Sequence, residues 1–170
     1  MRHAFRATAL ALVPLAALLA GCGKSGKKAE GPPAFRGVYT TSSDCADSGK
    51  ITIEQCMEAM QKAVAEHEKT APKYSSLRSC EATEGPGRCE RTESSGFRPI
   101  LLAILVTGST PPEGKPLYAA TEKKVIGFRS ATKEHYLADN EAIPFSEHAQ
   151  TLAEAHIETK SKAKPKMGGS

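Results

Sequence analysis

Tryptophan is absent from the 170 residues, and Phe and Tyr bring the aromatic share to only 5%. A core built on large aromatic anchors is therefore excluded. Beyond residue 21 only 22 residues are Leu, Ile, Val or Phe, about 15% of that stretch, below the ~20% at which an apolar core alone becomes doubtful. This leaves material for one small domain and excludes a multidomain enzyme, a polytopic membrane protein and a large Rossmann or barrel architecture. Also missing are a Walker loop, a dinucleotide fingerprint set between a strand and a helix, a Gly-x-Ser-x-Gly elbow, an H-E-x-x-H motif and a C-x-x-C pair. Their absence removes the usual nucleotide, hydrolase, zinc-protease and thiol-redox readings, and no cofactor is expected.

The hydrophobic residues that are present crowd the N-terminus, where residues 1–21 hold 15 of them. Arg2, His3 and Arg6 precede an apolar run from Ala7 to Ala20, which reads as a secretion signal too short to span a bilayer comfortably. It ends in Leu19-Ala20-Gly21-Cys22, which resembles the lipobox of bacterial lipoproteins. The resemblance implies cleavage between Gly21 and Cys22 and acylation, palmitate included, of the Cys22 thiol. Two or three chains at about 0.8 kcal/mol per buried CH₂ make a slow-leaving membrane anchor. Gly23 stands where an inner-membrane retention Asp usually does, so the outer membrane, facing the periplasm, is favoured. Residues 22–37, rich in Gly, Lys, Ser and Pro, read as a disordered lipidated tether with a span of roughly 20 Å.

The remaining four cysteines, Cys45, Cys56, Cys80 and Cys89, all fall between Val38 and Glu90. Thr52 with Gln55 forms a capping box, and Ile53, Cys56, Met57, Met60 and Val64 recur at helical spacing, predicting a helix over 53–69 with Met57 and Met60 as core filler. A shorter helix is predicted from Ser75 or Ser76 to Gly85, burying Leu77 and Cys80. Tyr39 precedes Cys45 as Tyr74 precedes Cys80, each followed by two Ser/Thr positions. This weak repeat favours two local disulfides, Cys45 with Cys56 and Cys80 with Cys89, although an antiparallel helix pair would bring Cys56 near Cys89 instead. Metal is disfavoured by the wide spacing, and an exported chain meets oxidants.

Together the lipobox, Tyr39, Cys45, Cys56, the run Thr70-Ala71-Pro72-Lys73-Tyr74, Cys80 and Gly85-x-Gly87-x-Cys89 resemble the YgiB-type bacterial lipoproteins, domain of unknown function 1190. The likeness is best over 38–90 and thinner through Tyr136, and the Arg-Gly-Gly-Phe-Gly-like motif of the Gly-rich tail common in that family does not occur among these residues. It implies no activity and no catalytic residue. It does bring an association with an ATP-grasp ligase resembling glutathionylspermidine synthase.

Further on, Glu90 to Gly96 reads as a polar linker. Pro99 to Thr107 holds the apolar run Ile100–Val106; Pro at its start and Gly108 at its end favour a short helix, while its β-branched residues favour a buried strand, and the helix is preferred. Leu117–Thr121 and Val125–Ser130 read as a hairpin, and Ser146–Ile157 as a helix with Ser146 as N-cap. Residues 158–170, with Lys160, Lys162, Lys164 and Lys166, read as a disordered basic tail. The fold class expected is α+β: a single small disulfide-stapled domain over 38–157, with two or three short helices and a short β-hairpin.

His67, His135, His148 and His156 are scattered and read as solvated surface residues; His148 and His156 lie about 80° apart around a helix, poor for chelation. Past residue 21, 21 Lys and Arg meet 19 Asp and Glu, and the positive excess sits at Lys24, Lys27, Lys28 and the tail. These ends suit lipid headgroups, an anionic cell-wall polymer or an envelope protein, and export excludes nucleic acid. The reading is a membrane-anchored, non-catalytic binding or scaffolding lipoprotein. The alternative is an accessory ligand-binding or modifying factor acting with an ATP-grasp peptide or polyamine ligase, which a concave pocket with convergent polar groups would favour.

Overall fold

The computed structural model describes residues 34–122 and 125–162, with side chains as far as Ala155. In chain order these form β1 (Arg36–Tyr39), α1 (Ser42–Ala46), α2 (Ile53–Thr70), α3 (Leu77–Glu84), β2 (Cys89–Arg91), β3 (Phe97–Pro99), β4 (Ala103–Thr107), β5 (Glu113–Ala119), β6 (Gly127–Arg129), β7 (His135–Leu137) and α4 (Glu147–Lys162). The class is α+β, as expected. An antiparallel sheet runs β1-β4-β5-β6-β7, and β2 with β3 makes a separate two-stranded ribbon.

Strand β4 lies inside the sheet, between β1 and β5, and sorts the core into two layers. Ala103 and Leu105 join Val38, Leu117, Phe128, Tyr136 and α4's Ala149 and Ala153 on one face. Ile104 and Val106 join Tyr39, Cys45, Cys56, Ala59 and Ala63 on the other, under α1 and α2. A strand covered on both faces needs apolar side chains pointing both ways and so shows no two-residue alternation. That is why the helix preferred for Pro99–Thr107 is wrong: the segment supplies the end of β3, a crossing at 100–102, and β4, which pairs with β1 and β5.

Helix α2 matches its predicted span, and both bonds of its capping box form: Gln55 N–H donates to Thr52 Oγ1 at 3.3 Å and Thr52 N–H to Gln55 Oε1 at 3.0 Å. Its buried stripe differs from the one predicted. Cys56, Ala59, Ala63 and His67 face the sheet, while Met57 and Val64 are 47% and 46% exposed and only Met60 packs partway into the core. The cause is a close approach of backbones. A Cβ on Gly114 of β5 would lie 1.9 Å from the Ala59 carbonyl oxygen, so only small side chains fit between helix and strand. Leu77, expected inside, is likewise exposed, although α3 starts from the predicted Ser76 cap and ends at Gly85, whose φ is +110°.

Three further boundaries shift. Strand β1 takes in Arg36 and Gly37, and Phe35 packs on the core, so the domain begins inside the predicted tether. The polar linker Glu90–Gly96 is the ribbon turn, closed by Thr92 N–H to the Gly96 carbonyl at 2.9 Å. Helix α4 runs past residue 157 to Lys162, with Ser146 Oγ accepting from Ala149 N–H at 3.2 Å as its cap. The predicted hairpin is present as β5–β6, with Tyr118 opposite Arg129. Cys22, the rest of the tether up to residue 33 and tail residues 163–170 lie outside the described residues.

The Gly114 contact makes a direct prediction. Gly114→Ala should lower stability by about 3 kcal/mol, at the upper end of overpacking effects, measured by urea unfolding. An unchanged midpoint would show that α2 does not sit this close to β5.

Candidate functional site

The disulfides join Cys45 to Cys56 and Cys80 to Cys89, with Cα separations of 6.0 and 6.2 Å. The pairing is the one favoured by the repeat, and the Cys56–Cys89 alternative is not formed. Three of the four cysteines occupy the same local position. Cys45, Cys56 and Cys80 each lie four residues after a hydroxyl N-cap, Thr41, Thr52 and Ser76, and donate their N–H to that cap's carbonyl at 3.0, 2.9 and 3.1 Å. The first turn of each helix thus aims its sulfur inward. Closing loops of 11 and 9 residues contributes roughly 2–3 kcal/mol apiece by chain entropy.

The Thr70-Ala71-Pro72-Lys73-Tyr74 run ends α2 and redirects the chain. Thr70 Oγ1 donates back to the Glu66 carbonyl at 2.9 Å, Ala71 N–H makes the last helical bond to His67, and Pro72 has no N–H with which to continue. Tyr74 then exchanges two backbone bonds with Phe97 of β3, at 2.8 and 2.9 Å.

Its hydroxyl opens a chain of polar contacts through the interior. Tyr74 donates to Glu84 Oε1 at 2.6 Å, and Glu84 Oε2 accepts from Arg129. The Arg129 guanidinium stands 5.4 Å from the centre of the Tyr118 ring, and the Tyr118 hydroxyl is 3.0 Å from His67 Nδ1. His67 Nε2 is 3.2 Å from Glu90 Oε1, which also accepts from Arg98 Nε at 2.6 Å, and Arg98 reaches Glu68 at the surface. Beside Glu84, Arg88 donates to the carbonyl of Ala120 at 3.0 Å. Glu84, Arg88, Arg129 and His67 are all buried.

Burial pushes the Tyr118 hydroxyl up to about 12. Burial, with the neighbouring Glu84 carboxylate, does the same to Tyr74. Both therefore remain donors at neutral pH. The two ring nitrogens of His67 are thus both engaged, Nδ1 by the Tyr118 hydroxyl and Nε2 by the Glu90 carboxylate. Burial also lowers the Arg88 guanidinium, partly offset by Glu84. A hydroxyl, an imidazole and a carboxylate in series have the connectivity of a nucleophile relay. Here Tyr118 is 1% and His67 3% exposed, so the series ties α2 and β2 to the sheet and offers no hydroxyl to a substrate.

His67 is therefore not the solvated histidine expected; the small-residue face of α2 carries it down onto Tyr118. His135 is part-exposed on Glu122 at 2.9 Å, His148 is exposed beside Asp44, and the side chain of His156 lies outside the described residues. Glu84, Arg88 and Arg129 were missed by sequence reasoning, since nothing local distinguishes a buried Arg or Glu from a surface one. Among the described residues no group of three or more His, Cys, Asp or Glu could hold a metal ion, and no helix is long and apolar enough to cross a membrane.

A second polar centre lies where α1 meets α4. Asp44 Oδ2 accepts from Thr40 N–H at 2.9 Å, Thr40 Oγ1 at 3.1 Å and Ser146 Oγ at 2.6 Å, while Oδ1 is 3.4 Å from His148 Nδ1. It opens on a cleft of about 380 Å³ whose walls include the rings of Phe35, Tyr39 and Phe145, the carboxylates of Asp47 and Glu147, and the basic Lys50 and His148. Aromatic walls with an excess of carboxylates suit a compact cationic group.

Burial pushes the Asp44 carboxyl up, but the bonds from Ser146, Thr40 and His148 outweigh it and hold the group below its ordinary value. A carboxyl lowered in the folded state stabilises fully above its unfolded value of about 3.9, and that contribution is lost as pH falls through the folded value. Asp44→Asn should therefore cost about 1 kcal/mol or more at pH 7. Below about pH 4 the gap to the wild type should close, read from urea midpoints across the pH range. A pH-independent gap would refute the ionised latch.

The profile described as protein of unknown function, DUF1190, matches residues 35–168. A UPF0441 protein of Klebsiella pneumoniae is 35% identical over 75 residues, 44% of this chain and 30% of that protein. Another from Serratia proteamaculans is 36% identical over 72 residues, 42% of this chain and 30% of that protein. A third, from Sodalis glossinidius, is 38% identical over 92 residues, 52% of this chain and 40% of that protein. The chain thus spans 30–40% of the length of these relatives. No solved structure matches it. With the disulfide-stapled α+β domain falling inside the matched stretch, the chain belongs to the DUF1190 family, whose function is unknown.

Proposed function

We propose that the protein is an envelope lipoprotein, acylated on Cys22 and held on the periplasmic side of the outer membrane, whose domain is a non-catalytic binding or scaffolding module. The observation that carries this reading is the pairing of all four domain cysteines in two disulfides behind a lipobox-like segment. Such pairs form and persist in oxidising compartments such as the periplasm. Lys24, Lys27 and Lys28 beside the anchor suit anionic headgroups, at about 1 kcal/mol each. Non-catalytic action is supported by the burial of the hydroxyl–imidazole–carboxylate series, which is spent on packing.

The alternative, an accessory ligand-binding factor for an ATP-grasp ligase, has one observation in its favour: the aromatic and acidic cleft at Asp44. It leaves the anchor unchanged and adds a cationic ligand to the module.

The anchor is tested first. Cys22→Ser should abolish metabolic labelling with palmitate and move the protein from the membrane pellet to the soluble fraction. A variant that stays in the pellet, or a wild type that takes up no label, would remove the lipoprotein reading.

A further inference from the structure

Only one oxygen of the Asp44 carboxylate is satisfied within the domain. The side chain is 8% exposed, and the donors from Thr40 and Ser146 all fall on Oδ2. The single contact of Oδ1 is His148 Nδ1 at 3.4 Å, longer than an ordinary hydrogen bond of about 2.7–3.2 Å, and that imidazole is 79% exposed. A nearly buried carboxylate oxygen without a close donor carries a desolvation cost that a charged donor would offset. Its position is fixed by the three bonds to Oδ2, and Asp44 and His148 both belong to the wall of the cleft.

The rest of the wall narrows the chemistry of that donor. Phe35 and Tyr39 lie with ring centres 6.3 Å apart, and Phe145 is stacked on Phe128 of the core at 5.5 Å, so the three rings of the cleft are held in place. The rim carries Asp47, Glu147 and Lys50, all exposed, and among the described residues none of these side chains makes a hydrogen bond or ion pair. Counting Asp44, three carboxylates face one lysine. Residues 34–155 as a whole hold 14 Lys and Arg against 17 Asp and Glu, so the positive excess of the chain lies outside the domain and the domain itself attracts cations.

A metal ion is a poor match, because no three His, Cys, Asp or Glu among the described residues are placed to hold one. An organic cation suits the cleft better: an N–H can reach Oδ1 while carbon and charge lie against aromatic faces. The volume of about 380 Å³ falls at the lower end of the range for small-molecule sites.

We propose that this cleft binds a small organic ammonium ion, a primary amine on a short aliphatic stem, whose ammonium donates to Asp44 Oδ1 and whose stem lies against Phe35, Tyr39 and Phe145. The ammonium replaces the long His148 contact, and Asp47 and Glu147 draw the cation to the rim. The inference rests on reading the domain as a binding module and names the class of its ligand.

Titration of the full chain in detergent micelles with n-butylammonium, followed through backbone amide chemical shifts, tests this. Saturable shifts should centre on Asp44, Ser146 and Glu147, with a Kd roughly millimolar or tighter. Butyrate and n-butanol, of the same shape without the positive charge, should bind at least about tenfold more weakly. Asp44→Asn should weaken butylammonium about tenfold or more. Because that change also loosens the contact between α1 and α4, two further variants separate binding from stability. Phe35→Leu should weaken the probe about threefold by removing an aromatic face. Asp47→Asn combined with Glu147→Gln should do so to a similar extent, about threefold, with the urea midpoint little changed. Equal binding of butyrate, shifts centred elsewhere on the domain, no saturation, or an affinity indifferent to all three variants would each overturn the proposal. Palmitate labelling of Cys22 is read independently, so a cleft that binds no ammonium leaves the anchor standing, and a missing label leaves the cleft standing.

Discussion

Glu84 and Arg129 lie against each other at 3% and 4% exposure, and the corner of the domain that carries the Thr70–Tyr74 run is arranged around that pair. Taking two charges out of water costs several kcal/mol per ion, and mutual attraction offsets this only when the remaining lone pairs and protons are also satisfied. Tyr74 supplies a hydrogen bond to the second Glu84 oxygen, the Ser130 carbonyl accepts from Arg129, and the Tyr118 ring lies under the guanidinium. Tyr74, Glu84, Tyr118 and the adjacent Arg129 and Ser130 come from four different parts of the chain. The pair therefore dictates where the segment after α2, the end of α3, β5 and β6 must meet.

The rest of the fold compensates for a small stock of large hydrophobes. Ala59, Ala63, Ala149 and Ala153 let α2 and α4 lie close on the two sheet faces, where dispersion contacts between backbone and strand replace bulky side chains. The disulfides act where this packing is thinnest, on the short helices α1 and α3, which bury little beyond their cysteines. Asp44 of α1 plays a comparable part for α4: one part-buried carboxylate collects donors from nearby Thr40 and from Ser146, 102 residues away. In both corners polar satisfaction, more than apolar volume, fixes the geometry.

What could be read in the sequence was local. The Thr52–Gln55 box, the Ser146 cap, the Gly85 stop and the tyrosine–cysteine repeat each involve residues within about one or two turns, and each has its structural counterpart. What could not be read depends on distant partners. Ile100–Val106 lost its period because β4 is covered on both faces. Met57 and Val64 carried the hydrophobic pattern of α2, yet Gly114 on β5 decides that alanines face the sheet. His67, Arg88 and Arg129 are residue types usually found in water, and only Tyr118, Ala120 and Glu84 make their burial intelligible. Strands β1 and β7, four and three residues long, offer too few positions for alternation to register.

The central claim is that the buried charge pair organises its corner of the domain, and a double-mutant cycle on Glu84 and Arg129, followed by urea unfolding, tests it most directly. Arg129→Met and Glu84→Gln alone should each cost about 3–5 kcal/mol, because each leaves the other partner buried without its counterpart. Removing both should cost clearly less than the sum of the single changes, giving a coupling of at least about 1–3 kcal/mol. Single changes costing under about 1 kcal/mol that simply add would contradict the account, since they are what exposed and independent charges produce.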